Sequence, residues 1–310
     1  MQNTQLPIFP EFVALGPHHQ AQLIEAIRSN HLYSDYNFVS LWSWDHQNKL
    51  RLCTLNDNLV IRFQDYLNPE DYFYSFFGTN KIDETAITLL RHSSEEGKEE
   101  LKLIPEFVVQ NLHQPEAFVV KEDRDSFDYI VAIKDMVDLS DSHDQSRRWS
   151  MNKFIKNHSD GLSVKELDIK NGKHAGQMMA VVENWRRQMR SRGSYRESEI
   201  EAIKKLINQQ RLIKTDNLHI IGLYLDDELK AFSITEILEG GFAMGHYKKS
   251  DRTYRGMGVA LENFTAKSLG AKGVTHINHQ QDLGIAGLRQ SKMASRPVYF
   301  MKKYTLSLKG

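Results

Sequence analysis

The chain has 310 residues, with 40 Lys and Arg against 40 Asp and Glu and a single cysteine. That length fits two domains rather than one, and the cancelled charge excludes a global field that would draw the protein onto nucleic acid or anionic lipid. With Cys53 alone, an intramolecular disulfide and a cysteine-built metal site are both excluded, and a reducing cytoplasm is the expected home.

From the N-terminus, apolar periodicity predicts a helix over 18–27, strands over 50–55, 59–63 and 72–77, and a helix over 84–90. The opening Met1-Gln2-Asn3-Thr4-Gln5-Leu6 has neither a basic region nor a long apolar core, so a secretory signal is not expected. Trp42 and Trp44, with Tyr36 and Phe38 before them, read as packing residues. The run Ser140-Asp141-Ser142-His143-Asp144-Gln145-Ser146-Arg147-Arg148 has no apolar residue and separates two periodic regions. It sets the expected domains at 1–145 and 146–310.

In the second half, Ser163-Val164-Lys165-Glu166-Leu167 reads as a strand, and 174–190 as a helix with Met178, Met179, Val182 and Trp185 at helical spacing. Another helix opens at Ser198, which with Glu201 makes a capping-box pattern. Strands over 218–225, 229–238 and 242–248 are joined by Asp226-Asp227 and by Gly240-Gly241. The stretch 218–225 is the longest strongly apolar one and is far too short to span a bilayer. Arg255-Gly256-Met257-Gly258-Val259-Ala260 then opens a helix, followed by a strand over 274–278, a helix over 285–293 and a last strand over 298–306. The N-terminal half repeats this helix-then-strands order without a comparable glycine turn.

A strand, a glycine-bearing turn and a helix N-terminus together form an anion cradle, because glycine admits close approach while the N–H groups and the helix dipole favour negative charge. The plain alternative is that Gly256 and Gly258 only shape a tight turn. The spacing Arg-x-x-Gly-x-Ala resembles the pyrophosphate loop of the GNAT N-acyltransferase superfamily, and the surrounding element order resembles a GNAT domain. Asn278-His279-Gln280-Gln281-Asp282-Leu283-Gly284-Ile285-Ala286-Gly287-Leu288-Arg289-Gln290-Ser291-Lys292, Ser34-Asp35-Tyr36-Asn37-Phe38 with Leu41-Trp42-Ser43-Trp44, and Asp128-Tyr129 before Leu139 narrow the likeness further. They resemble a bacterial family similar to the C-terminal domain of phosphatidylglycerol lysyltransferases. The neutral pair Gln280-Gln281 departs from it, since an acidic residue is expected there. The resemblance implies an α/β (α+β) fold of two tandem GNAT-like domains, each a mixed, mostly antiparallel sheet flanked by helices, with a phosphate loop only in the second.

It also implies acyl transfer from acyl-CoA or another carrier to a small-molecule or peptide amine. Arg255, Gly256, Met257, Gly258, Val259, Ala260 and Asn278 are then the cofactor-binding candidates, with the N–H groups from Met257 to Ala260 on the pyrophosphate and a backbone donor near His246 aimed at the carbonyl. The proton route falls to His246, Glu236 or Tyr304; a hydrogen-bonded core histidine is the structural alternative for His246, and the helix over 284–293 lacks the tyrosine acid that many GNAT enzymes carry. Asp282, Arg289 and Lys292 are candidates for holding an anionic group, Arg289 and Lys292 sharing a helix face; a cap and ion pair with Asp282 is the structural alternative. Two basic clusters, Arg186, Arg187, Arg190 and Arg192, and Arg147, Arg148, Lys153 and Lys156, would serve a tRNA or phospholipid headgroup, although dipole-complementing solvated faces fit them as well. His18-His19 and His276 with His279 lack zinc spacing, so no metal is expected. Three functions remain open: acyl-CoA-dependent acyl transfer, aminoacyl transfer from charged tRNA, and a non-catalytic ligand-binding module.

Overall fold

The computed structural model describes residues 5–68, 70–139, 144–190 and 197–310. Ser140, Asp141, Ser142 and His143 of the polar run, and Arg192 of the first basic cluster, lie outside the described residues. The first elements are β1 (Val13–Ala14), α1 (Gln20–Ile27), α2 (Phe38–Trp44), β2 (Arg51–Leu55), β3 (Asn58–Gln64), β4 (Tyr72–Phe77), α3 (Ile82–Glu95), β5 (Leu101–Pro105), α4 (Glu106–Gln110), β6 (Phe118–Glu122) and β7 (Asp128–Ala132). Next come α5 (Ile133–Asp138), α6 (Gln145–Asn157), β8 (Leu162–Leu167), α7 (Gly172–Arg190), α8 (Glu197–Gln209), β9 (Leu218–Leu225), β10 (Glu228–Leu238) and β11 (Phe242–Ser250). The chain ends with α9 (Met257–Ala271), β12 (His276–Asn278), α10 (Ala286–Met293), β13 (Tyr299–Met301) and β14 (Lys303–Leu308).

These elements form two compact units, and the units are not contiguous halves. One comprises 1–129, 281–294 and 300–310, the other 130–280 and 295–299. The division therefore falls ahead of the polar run near residue 145, and the C-terminal strand, expected within the second domain, belongs to the first unit. The reason is strand pairing. β14 lies between β5 and β6 and is antiparallel to both, with Tyr304 opposite Ile104 and Glu122. In the other unit Ile130, Val131 and Ala132 of β7 pair antiparallel with β12. Each unit thus completes its sheet with a strand from the other half of the sequence.

The first unit adds an antiparallel sheet in the order β1-β2-β3-β4, in which Asn56 and Asp57, both at positive φ, make a two-residue hairpin turn. Its core joins Val60, Tyr74 and Phe76 to Leu89 and Leu90 of α3 and to Leu306 of β14. Trp42 is buried on α2, a packing role as expected. In the second unit β8, β9, β10, β11 and β12 follow in order, antiparallel except for the parallel pair β11/β12. The turn at Asp226-Asp227 has the left-handed dihedrals that a tight hairpin demands. α9 packs on β9, β10 and β11. Alternation along β10 decides what each face offers: Ala231 packs with α9 residues, and the Ser233 hydroxyl meets Thr265 of α9 at 2.6 Å. Phe232, Ile234 and Glu236 point to the opposite face, where α7 lies. Mixed, mostly antiparallel sheets flanked by helices are the GNAT-like architecture expected from the element order.

Candidate functional site

In the second unit the glycine turn opens α9 as its sequence predicts. Gly256 is the N-cap residue, held at φ +93, and a Cβ there would meet the Ser150 carbonyl oxygen on α6 at 2.2 Å. Two demands fall on this one position: left-handed backbone and close helix approach. Gly258 differs. A Cβ there would meet nothing nearer than Ser250 Oγ at 3.6 Å, so the fold itself does not call for glycine. The four N–H groups expected to grip an anion reduce to two. Met257 N–H donates to Tyr254 O at 3.2 Å and Ala260 N–H to Gly256 O at 3.0 Å; among the described residues no acceptor stands against those of Gly258 and Val259. The side chains of Met257 and Ala260 are buried in the core, which makes them packing residues in addition. Arg255 is exposed, with its guanidinium carbon 5.7 Å from the Trp149 ring centre.

His246 and Glu236, two separate candidates in the sequence, are brought together. His246 Nε2 lies 3.0 Å from Glu236 Oε2, and Glu236 Oε1 accepts from Asn217 Nδ2 at 2.7 Å. Both side chains are buried. The cause is a register shift: Gly245 opposes Thr235 and Tyr247 opposes Ile234, which makes His246 the extra residue of a β-bulge. A bulge interrupts the ladder and re-aims a side chain, here toward the carboxylate on the neighbouring strand. Against an ionised Glu236, which only accepts, Nε2 is the donor. Tyr304 belongs to the other unit, where its hydroxyl donates to Glu106 at 3.3 Å and burial raises its pKa; the described geometry groups only His246 with Glu236. Asn278 is fully buried on β12, its Oδ1 accepting from Gln280 N–H at 2.6 Å.

On the α7 side of the sheet stands a group that sequence reasoning missed. Lys249 on β11 is 4% exposed, its ammonium 3.8 Å from the Trp185 ring centre and 2.5 Å from Glu199 of α8. Desolvation lowers its pKa, with Glu199 opposing. In sequence it is one of two adjacent lysines at a strand end, and nothing marks it as the inward one. Near α9, Glu262 bonds to Lys248 and, at 2.9 Å, to Arg147 of α6. Burial works against its charge, yet Lys248, Arg147 and His279 hold the carboxyl down at about 2. The basic clusters are partly spent in this way: Arg147 also meets Asp144, Arg148 donates to Leu139 O, and Arg186 pairs with Glu183 and Glu197.

In the first unit the substrate-clamp candidates form an ion-pair network. Buried Asp282 accepts from Arg289 Nε at 2.9 Å and Nη2 at 2.8 Å, from Gly284 N–H at 2.8 Å and from the Tyr129 hydroxyl. Arg289 also reaches Asp125, and Lys292 donates to Gln281 O. Despite burial, the Arg289 and Tyr129 hydrogen bonds keep the Asp282 carboxyl below its ordinary range. The guanidinium is thus held by protein carboxylates, as in the cap-and-pair alternative. A second buried group was not foreseen. Lys303 Nζ lies 2.8 Å from Asp128 Oδ1 and contacts Asp35, and Tyr66 donates to Asp35 at 2.7 Å. Ser34 donates to Asp128 through its N–H and its hydroxyl, at 2.8 and 2.6 Å. Burial raises the Asp35 pKa, and against desolvation Asp128 and Asp35 keep Lys303 above the lysine range. Gln281 Oε1 completes the group at 3.2 Å. A neutral amide fits there, because an acid would add a third negative charge beside one ammonium.

Among the described residues no helix is long and apolar enough to cross a membrane, and no cluster of His, Cys, Asp and Glu suits a metal ion. The sequence model described as phosphatidylglycerol lysyltransferase, C-terminal, matches residues 28–307. No curated protein matches the chain. A Bacteroides thetaiotaomicron protein of unknown function superposes with a TM-score of 0.81 at 20% identity, over 96% of this chain and 99% of that one. The C-terminal domain of a putative lysylphosphatidylglycerol synthetase from Agrobacterium fabrum gives 0.61 at 12% identity, over 94% and 93%. L-PGS from Bacillus licheniformis gives 0.60 at 14% identity, over 96% and 94%. At these identities the likeness establishes the fold.

Proposed function

This chain belongs to the phosphatidylglycerol lysyltransferase C-terminal family, and from that premise we propose that it is a transferase moving an acyl group from acyl-CoA to an amine. The observation that carries the reading is the contrast at the α9 N-terminus. Gly256 is required by the fold, whereas Gly258 is not, and beside it the Gly258 and Val259 N–H groups have no protein acceptor among the described residues. A glycine kept where the fold has room for a side chain suits a backbone that something else must approach. The residues present therefore fit a pyrophosphate: two N–H donors and the helix dipole, with Arg255 exposed nearby.

Bound acyl-CoA would supply the thioester carbonyl, with coenzyme A as the leaving thiol. The chain's own part is to hold the phosphates at Gly258 and Val259 and to manage the amine proton. As the C–N bond forms and the C–S bond breaks, the His246–Glu236 pair takes that proton and returns it to the leaving sulfur, with Glu236 fixing the imidazole and stabilising its charged form. A second reading, aminoacyl transfer from charged tRNA, is favoured by the family match over 28–307; the same dyad then serves attack on an ester. The acceptor is an amine of a small molecule or peptide in the first reading.

Thermal-shift and calorimetric titration of the full chain with acetyl-CoA, coenzyme A and aminoacyl-tRNA tests the donor. We expect coenzyme A to stabilise the protein and Gly258→Val to abolish the effect while the fold persists. Absence of stabilisation at millimolar coenzyme A removes the first reading, and stabilisation by charged tRNA alone installs the second.

A further inference from the structure

Beside the glycine turn lies a pocket of about 200 Å³ between α6 and the loop that precedes α9, lined among others by Trp149, Lys153, Asn157, Thr253 and Arg255. Trp149, Lys153 and Asn157 are four residues apart on α6 and so share a helix face. Trp149 is 52% exposed, an indole the core does not use. Two cations flank it: the Lys153 ammonium is 4.9 Å and the Arg255 guanidinium 5.7 Å from the ring centre. Among the described residues no carboxylate lines the pocket. The volume is below the roughly 300–1,000 Å³ that houses a whole drug-sized ligand, so it suits one planar ring system with the rest of the ligand lying outside.

We propose that this pocket binds an adenosine carrying phosphate, its base stacked on Trp149 and its phosphate met by Lys153 and Arg255. An open aromatic face stacks on any base, and flanking cations pair with the phosphate that a nucleotide brings. Asn157 and Thr253 in the lining provide polar groups for the edge of the base. The inference rests on the donor reading above, since both donors named there carry this chemistry: coenzyme A as a 3′-phosphorylated adenosine diphosphate, charged tRNA as its terminal adenosine with a phosphodiester before it. It adds where the base of that donor sits.

The test titrates full-length protein with adenosine 3′,5′-bisphosphate, coenzyme A, phosphopantetheine and a short RNA ending in CCA, followed by tryptophan fluorescence and calorimetry. Adenosine 3′,5′-bisphosphate should bind and quench the signal, and Trp149→Ala should weaken it about tenfold or more, the size expected for losing one stacked base. Trp149→Phe should stay within about threefold of wild type, since a ring remains. Lys153→Gln with Arg255→Gln should weaken the bisphosphate and leave adenosine itself little changed. Tighter coenzyme A than RNA places the coenzyme in the pocket, and the reverse places an RNA 3′ end there. If coenzyme A or RNA binds the wild type and Trp149→Ala equally well, the pocket assignment falls while the donor reading stands. If the bisphosphate binds through Trp149 but neither donor is consumed, the transferase reading falls and the pocket stands. No binding by any adenosine probe overturns the assignment outright. Circular dichroism of Trp149→Ala guards against misfolding, which the exposure of this side chain makes unexpected.

Discussion

Substituting the two glycines of the turn separates fold from function. Gly256→Ala places an L-residue at φ +93 and a Cβ 2.2 Å from the Ser150 carbonyl oxygen. Left-handed backbone costs a residue with a side chain about 1–2 kcal/mol, and forcing two packed helices apart costs about 1–3 kcal/mol more. The sum, about 2–5 kcal/mol, corresponds to a fall in Tm of roughly 5–15 °C for a unit of this size. Because the obstructing atom is backbone, no rotamer change relieves it, and α6 itself has to move. Gly258→Ala should do the opposite. That position is the second residue of α9, the nearest atom to an added Cβ is 3.6 Å away, and replacing a helical glycine by alanine gains up to about 1 kcal/mol. Thermal melts by circular dichroism, run beside coenzyme A titrations, read both arms. A Gly256→Ala protein that melts with the wild type would show that α6 does not press on the turn. A Gly258→Ala protein that loses several degrees would show that the fold, and not a ligand, needs this glycine.

The remaining expectations follow from the buried groups. His246→Gln should lower turnover with the identified donor by about 10²–10⁴-fold, the usual contribution of a positioned base; an unchanged rate in single-turnover assays would make His246 a core histidine only. Glu262 has a folded pKa depressed to about 2 from 4.5, so its contribution, at most roughly 3 kcal/mol, is present above pH 4.5 and is lost as pH falls toward 2. Urea midpoints of Glu262→Gln should accordingly vary less between pH 5 and 3 than those of wild type, and parallel curves would contradict the assignment. Arg289→Gln should destabilise on the order of 2 kcal/mol by removing two donors from buried Asp282, whereas Lys292→Gln should leave the Tm nearly unchanged; equal effects in denaturation would refute the network. Lys303→Met should cost about 3–5 kcal/mol, because two buried carboxylates lose their cation, and a wild-type melting curve would exclude that.

What the sequence determined by itself is local. The strands over 218–225 and 72–77 coincide with β9 and β4, the hairpin at Asp226-Asp227 and the helix opened by the glycine turn form as read, and α7 covers the periodic stretch that announced it. Periodicity and turn chemistry act over a few residues, so a linear reading reaches them. The exchange of strands was out of reach. β5 and β6 went unread, being short and completed by β14, whose residues lie at the other end of the chain. The candidate site divides in the same way. The turn, His246 and Glu236 were each visible, but only a one-residue bulge in β11 joins the last two. Lys303 and Asp35 are 268 positions apart, and no spacing rule links them. Burial is decided by which face packs where, so it took the tertiary structure to make Lys249 an interior group, to turn Arg289 toward Asp282, and to leave Trp149 open to solvent beside two cations.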